Sequence, residues 1–239
     1  MTNTWLLVPV KGLATGKSRL RPVLDDAARR ALNEFLMRRT LANACAFPGA
    51  ARTLVISECE GVLGVAAGFG VQALAQRSGP GLDQAAREGV DTLRRLGAER
   101  IVVLMGDLPL ARFGDVEALA SRRASARTVV MCPDKNGTGT NALVFSAGAP
   151  MSMRFGGASL VWHWRQALRA GLVPRLHHDR RIALDVDTPG DFVQWKLGDD
   201  TDGETFGGGC GIVGRLHRET GIANEDRSAS WQRTLAPFG

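Results

Sequence analysis

Ile101-Val102-Val103-Leu104-Met105-Gly106-Asp107-Leu108-Pro109 is an unbroken apolar run that ends on an acid and a proline. A strand turns successive side chains to opposite faces, so a run with no polar alternation belongs to a strand covered on both sides. Strands of that kind lie in mostly parallel sheets between helix layers, and ligands bind in the crevice outside their carboxyl ends. Asp107 stands at that end. Outward from this run, apolar β-rich segments alternate with helical ones. Strands are expected at 5–10, 52–57, 71–74, 101–106 and 128–132, and helices at 25–45, 60–68, 83–96 and 115–122, with Asp25 or Asp26 placed to cap the first. After Asn141 the rhythm loosens. Residues 142–146 read as extended, 159–170 as a helix, and 173–177 and 183–187 as strands. The fold class is α/β, a mostly parallel sheet with an antiparallel addition.

A chain of 239 residues can bury one substantial core, and residues 1–197 are expected to form a single domain. Residues 198–239, with Gly198-Asp199-Asp200 and Gly207-Gly208-Gly209, offer little to bury and are expected to be a flexible or partly ordered tail. Trp231 and Phe238 in that tail leave packing on the domain, or on a second copy in a homodimer, open. No apolar run approaches the roughly 20 residues of a membrane span, and Met1-Thr2-Asn3-Thr4 has no basic leader, so a cytoplasmic protein without a membrane partner is expected. Cys45, Cys59, Cys132 and Cys210 are scattered, which argues for reduced, mostly buried thiols rather than zinc or disulfides. The net charge of +6 suits an anionic partner. Because the basic residues are dispersed, with Arg29-Arg30, Arg38-Arg39 and Arg94-Arg95 on expected helices, and aromatics are few, small phosphorylated molecules fit better than nucleic acid.

The chemistry-bearing residues fall in four blocks. Leu184-Asp185-Val186-Asp187-Thr188-Pro189 carries two acids one residue apart, which puts them on one face of an extended chain. With Asp107 they offer three carboxylates to one hard divalent cation, an oxygen-only set that suits magnesium or manganese over zinc. Lys11-Gly12-Leu13-Ala14-Thr15-Gly16-Lys17-Ser18 superficially matches a phosphate loop, but Gly12 comes one residue too late for that motif. It reads instead as a strand-to-loop turn whose Lys11, Lys17 and Arg19 can neutralise phosphates. Asp134 to Leu143 holds a hairpin signal, Asn136-Gly137, followed by Thr138, Thr140 and Asn141, polar groups beyond the needs of a tight turn. Phe155-Gly156-Gly157-Ala158-Ser159 opens a helix, with Ser159 as its expected N-cap or as an anion ligand there. His163, between two tryptophans, reads as a packed residue rather than a base.

These blocks resemble the guanylyltransferases that activate a small phosphorylated acid in the biosynthesis of the deazaflavin coenzyme F-420. The resemblance rests on Val8-Pro9-Val10-Lys11 with Lys17-Ser18-Arg19-Leu20, Asp107-Leu108-Pro109-Leu110, Gly137-Thr138-Gly139-Thr140-Asn141, Phe155-Gly156 with Ser159, and Leu184-Asp185-Val186-Asp187-Thr188-Pro189, in family order over about residues 5–195. It implies a Rossmann-like, glycosyltransferase-A-like nucleotidyltransferase sandwich of three layers, magnesium on Asp107, Asp185 and Asp187, and the acid substrate on Thr140, Asn141, Gly156 and Ser159. It also implies GTP contacts at Pro9, Lys11, Lys17, Arg19, Gly81 and Asp83, with Lys17, Arg19 and Asp107 at the chemistry. The acceptor would be 2-phospholactate, phosphoenolpyruvate or 3-phosphoglycerate. The chain departs from the family in carrying Gly81-Leu82-Asp83 where Gly-Leu-Asn is usual, and Met105-Gly106 where Pro-Ala is common. Two alternatives are a transferase of the same fold acting on a sugar phosphate or a molybdopterin, and a GTP-binding module without catalysis, which would release no pyrophosphate with any acceptor.

Overall fold

The structure, a computed structural model, describes residues 3–121 and 126–198; the expected tail over 198–239 lies, but for its first residue, outside them. Among the described residues the chain runs β1 (Thr4–Pro9), α1 (Asp26–Ala44), β2 (Thr53–Ser57), α2 (Glu60–Gly68), β3 (Gln72–Ala75), α3 (Leu82–Arg95), β4 (Arg100–Leu104), α4 (Phe113–Ser121), β5 (Thr128–Pro133), β6 (Thr140–Ser146), α5 (Ser159–Arg169), β7 (Val173–Leu176), α6 (Arg180–Ala183) and α7 (Pro189–Gly198). The strands form a seven-stranded sheet in the order β3-β2-β1-β4-β6-β5-β7. Only β6 runs against its neighbours: β4 and β5 pair with it antiparallel, and every other pairing is parallel. The antiparallel addition is therefore one strand folded back by the β5–β6 hairpin, with Gly137 in the left-handed region (φ 69°) at its turn.

The sheet separates two cores. Leu6, Val8, Val102 and Leu104 pack with Met37 and Leu41 of α1, Val62 of α2 and Val116 and Leu119 of α4 on one face. Trp5, Leu7, Ile101 and Val103 face the other way, against Ala86, Val90 and Leu93 of α3 and Ala167 of α5. Alternate residues of the same strands thus supply opposite layers, and each fully buried leucine or valine contributes roughly 1.5–3 kcal/mol. Helix α3 lies very close to the sheet: a Cβ on Gly89 would stand 2.5 Å from Leu7 Cδ1. Both edge strands are only four residues long, which leaves little unpaired backbone for another chain to extend.

Helix α1 is buried on two sides. Leu32 and Leu36 turn from the sheet to a third cluster with Leu184, Val186, Phe192, Val193 and Trp195. Here the structure corrects the strand expected at 183–187. Residues 180–183 form the short helix α6, and 184–187 are extended but join no ladder. The β7 strand takes the sheet edge beside β5, and the Ala183 carbonyl is claimed by the Lys135 N–H at 2.8 Å. Alternation survives without the sheet: Leu184 and Val186 are buried, and Asp185 and Asp187 face the other side.

Candidate active site

A cleft of about 1120 Å³ opens at the carboxyl ends of β1 and β4 and is lined by the 9–19 turn, Gly81 and Asp83, Gly106 and Asp107, the hairpin turn, 155–159 and Asp185 and Asp187. At its centre the Lys17 ammonium donates to Asp107 Oδ2 at 2.6 Å and to Asp187 Oδ1 at 3.1 Å. Lys17 has a left-handed backbone (φ 60°), unusual for a side-chain-bearing residue, and this turns its side chain inward from the loop. Burial works against the ammonium, yet Asp107 and Asp187 outweigh it and raise its pKa above the ordinary value. Asp185 experiences the opposite balance. Burial, with the charges of Asp107 and Asp187 added, pushes its carboxyl up to about 6. Three acids, from the turn after β4 and from the 184–187 segment, therefore crowd one another, with a single ammonium against two of them. No three His, Cys, Asp or Glu side chains form a ready-made metal cage among the described residues, and it is Lys17 that lies between two of the acids.

Neighbouring groups hold this cluster in place. Asn141 Nδ2 donates to the Ile182 and Ala183 carbonyls at 3.0 and 3.1 Å and reaches Asp185 Oδ1 at 3.5 Å. Asn141, expected as a substrate ligand, thus fastens the acid-bearing segment to β6. Asp191 Oδ2 accepts the N–H groups of Asp187 and Thr188 at 3.0 and 2.7 Å, while its Oδ1 pairs with Lys135. The start of α7 is therefore organised by Asp191 with the Thr188 hydroxyl, and Asp187 is left free of capping for the cleft. The cationic turn is held from below by α1. Asn33 donates to the Leu13 carbonyl at 2.7 Å and Arg29, buried rather than solvated, donates to the Gly16 carbonyl at 3.2 Å and pairs with Asp26. Gly16 is required by that packing, since a Cβ there would meet Asn33 Nδ2 at 2.8 Å. Lys11 and Arg19 are exposed on the rim.

The floor of the far end of the cleft is uncharged. Thr140 and Ser159 are buried, their hydroxyls 3.4 Å apart. Ser159 is not the N-cap expected; Ala158 holds that position in a left-handed conformation, and Gly156 precedes it at φ 103°. Beneath them His163 lies fully buried, its Nδ1 3.1 Å from Thr140 Oγ1. Helix α3 reaches this end too: Asp83 Oδ1 accepts the Phe155 N–H at 2.6 Å and Arg87 Nε donates to the Met153 carbonyl at 3.1 Å. Asp83, expected beside the nucleotide, ties the Gly81 turn to the loop that carries Gly156.

The family model described as "Guanylyl transferase CofC like" matches residues 4–212. The chain belongs to this family. A phosphoenolpyruvate guanylyltransferase of Conexibacter woesei is 35% identical over 191 residues, 80% of this chain and 86% of that protein. A 3-phospho-D-glycerate guanylyltransferase of Phenylobacterium zucineum is 35% identical over 195 residues, covering 80% and 89%. Among solved structures, a nucleotidyl transferase of Methanothermobacter superposes with a TM-score of 0.61 at 14% identity over 83% of this chain and 98% of that one, a likeness of fold.

Within this CofC-like frame, Pro9, Lys11, Lys17, Arg19, Gly81, Asp83, Asp107, Thr140, Asn141, Gly156, Ser159, Asp185 and Asp187 all line the same cleft. Arg29, Asn33, Arg87, Lys135 and Asp191 escaped the sequence reading, whereas His163 is the packed residue it was expected to be. Asp191 alone left a usable signal, as the acid three residues after Thr188 in a capping box.

Proposed function

We propose that the protein transfers GMP from GTP to the phosphate of a small three-carbon phospho-acid, 2-phospho-L-lactate, phosphoenolpyruvate or 3-phospho-D-glycerate, as a cytoplasmic step of coenzyme F-420 biosynthesis. The observation that carries the reading is the gathering of Asp107, Asp185 and Asp187, two of them paired with the Lys17 ammonium, in the same cleft as a pocket of hydroxyls. A phosphate oxygen of the acid attacks the α-phosphorus of GTP in line. The new P–O bond forms as the bond to the β-phosphate oxygen breaks, and pyrophosphate leaves with that electron pair. No protein nucleophile is needed, so catalysis is orientation and charge neutralisation.

The donor set fits magnesium: three carboxylates, one lifted by burial and by the other two, have one lysine to offset them, which leaves room for a hard divalent charge. Asp107, Asp185 and Asp187 would hold it, and when bound it would supply charge neutralisation at the reacting phosphates. The chain's own groups do the rest. Lys17 holds two of the acids together and, with Lys11 and Arg19 on the rim, offsets charge growing on pyrophosphate. Pro9 and Gly81 line the nucleotide end, and Asp83 positions the loop opposite. Thr140, Gly156 and Ser159 bind the acid.

The test is mass spectrometry of the products after incubation with GTP, magnesium and each of the three acids in turn. A guanylylated acid with stoichiometric pyrophosphate is expected with one of them. Pyrophosphate only with a sugar phosphate or molybdopterin acceptor would reassign the substrate, and GTP binding without pyrophosphate under any acceptor would overturn the enzymatic reading.

A further inference from the structure

The buried histidine under the acid pocket has two partners that differ in kind. The backbone N–H of Arg154 points at His163 Nε2 at 3.3 Å, and a backbone N–H can only donate. Nε2 must therefore be bare, and in a neutral imidazole the proton is then on Nδ1. Nδ1 faces Thr140 Oγ1 at 3.1 Å, so the ring donates to the threonine. The ring is enclosed by Phe155 and Trp162 at centroid distances of 5.4 and 5.3 Å and has no exposed surface, and burial pushes its pKa down to about 4, which keeps it neutral near pH 7.

The direction of that one bond sets the polarity of the pocket. Thr140 and Ser159 are 3.4 Å apart and carry one hydroxyl proton each. If Thr140 accepts from the ring, then whichever hydroxyl donates to the other, one proton is left over on a hydroxyl that lines the cleft. With the opposite tautomer Thr140 would donate to the ring and Ser159 to Thr140, and an incoming anion would meet only lone pairs. From this we infer that His163 is a positioning residue for the acid substrate: the Arg154 amide fixes its tautomer, and the ring turns the Thr140–Ser159 hydroxyl pair to present a donor to the substrate's anionic group. This rests on the proposed acid pocket. A lone donor from a neutral relay recognises a carboxylate or phosphate without adding a charge, and it discriminates against ligands that bring a donor of their own.

The decisive measurement is a double-mutant cycle of Thr140→Val and His163→Phe, read as KM for the acid and for GTP separately. A hydrogen bond to a charged group is worth about tenfold to a hundredfold in affinity. Thr140→Val is expected to raise the acid KM by that order with the GTP KM unchanged. His163→Phe is expected to do the same, and the pair together no more than Thr140→Val alone, because the ring acts through the threonine. A silent Thr140→Val overturns the acid pocket and with it this inference. A large Thr140→Val effect with a silent His163→Phe, with additive losses, or with equal losses toward GTP overturns the inference alone. Imidazole 15N shifts of the unmodified protein give a reading that needs no variant: protonated Nδ1 with bare Nε2 is expected, and the reverse tautomer sinks the relay.

Discussion

The two ends of the cleft manage charge by opposite means. At one end, Asp107 and Asp187 pair with Lys17 while Asp185 lies against the two acids, and the balance of charge is held by pairing. At the other, Thr140, Ser159 and His163 are buried and uncharged, and binding depends on which atom carries a proton. The charged end is open enough to exchange ions, with the Asp107 and Asp187 side chains 32% and 47% exposed against 4% for Lys17. The neutral end is closed and fixed by backbone contacts. The contrast implies that substitutions at the charged end alter turnover, whereas those at the neutral end alter the choice and affinity of the acid.

The largest effect is expected at Asp187. Asp187→Asn keeps the shape and the backbone bond to Asp191 while removing a charge from the cluster. Turnover should fall by at least about a hundredfold with circular dichroism and melting little altered, as for other losses of a group that balances charge in a transition state. Wild-type turnover in this variant would break the comparison outright. Lys17→Met comes next. It leaves Asp107 and Asp187 facing each other unneutralised, and because both are partly solvated the destabilisation should be about 1–2 kcal/mol rather than the 3–5 of a fully buried pair. Denaturant titration at two salt concentrations measures it, and the loss should shrink in high salt.

Asn141→Ala tests the frame between the two ends. Losing its amide leaves the Ile182 carbonyl to find another partner, while the Ala183 carbonyl keeps the Lys135 N–H, and Asp185 loses its neighbour. A loss of about 1–3 kcal/mol in stability is expected, with kcat reduced about tenfold and the acid KM little changed. A large rise in the acid KM instead would make Asn141 the substrate ligand expected from the sequence.

Much of this arrangement was legible in the chain, for a physical reason. A strand buried on both faces must be apolar throughout, so 101–104 and the acid that follows announce both the sheet and the end at which the cleft opens. Asp185 and Asp187 were placed correctly on one side by the two-residue period, although the segment is not in the sheet: the period belongs to any extended chain, whereas joining a ladder depends on which strand reaches the edge first, and β7 does. Through-space partners were not legible. Arg29 and Arg94 looked like solvated helix faces, yet Arg29 holds the Gly16 carbonyl and Arg94 those of Ala147 and Ala149 at 2.8 and 2.9 Å. Nothing local marks a guanidinium that turns inward to satisfy a loop carbonyl. The cysteines illustrate the same limit, since Cys132 is buried but Cys45 and Cys59 are only half-buried.

The smallest expected effect separates the two ends by pH, in metal-free protein. Asp185 favours its protonated form in the fold, so its contribution is present below its ordinary value of 3.8 and is lost as pH rises through about 6. His163 favours its neutral form, so its contribution is present above 6.5 and is lost as pH falls toward about 4. Each shift corresponds to about 3 kcal/mol, with opposite slopes over nearly the same window. The unmodified protein should therefore show a nearly flat stability between pH 4 and 6.5 from these two groups, by cancellation. Asp185→Asn removes one slope. That variant should be more stable than the parent at pH 7 by about 2–3 kcal/mol in chelator, despite lower turnover, and should lose stability steeply on acidification. Adding His163→Phe should flatten the profile again. Urea midpoints across this range decide it: an Asp185→Asn profile parallel to the parent's would mean that the carboxylate cluster is not strained, and that the two ends of the cleft do not differ in the way their charges imply.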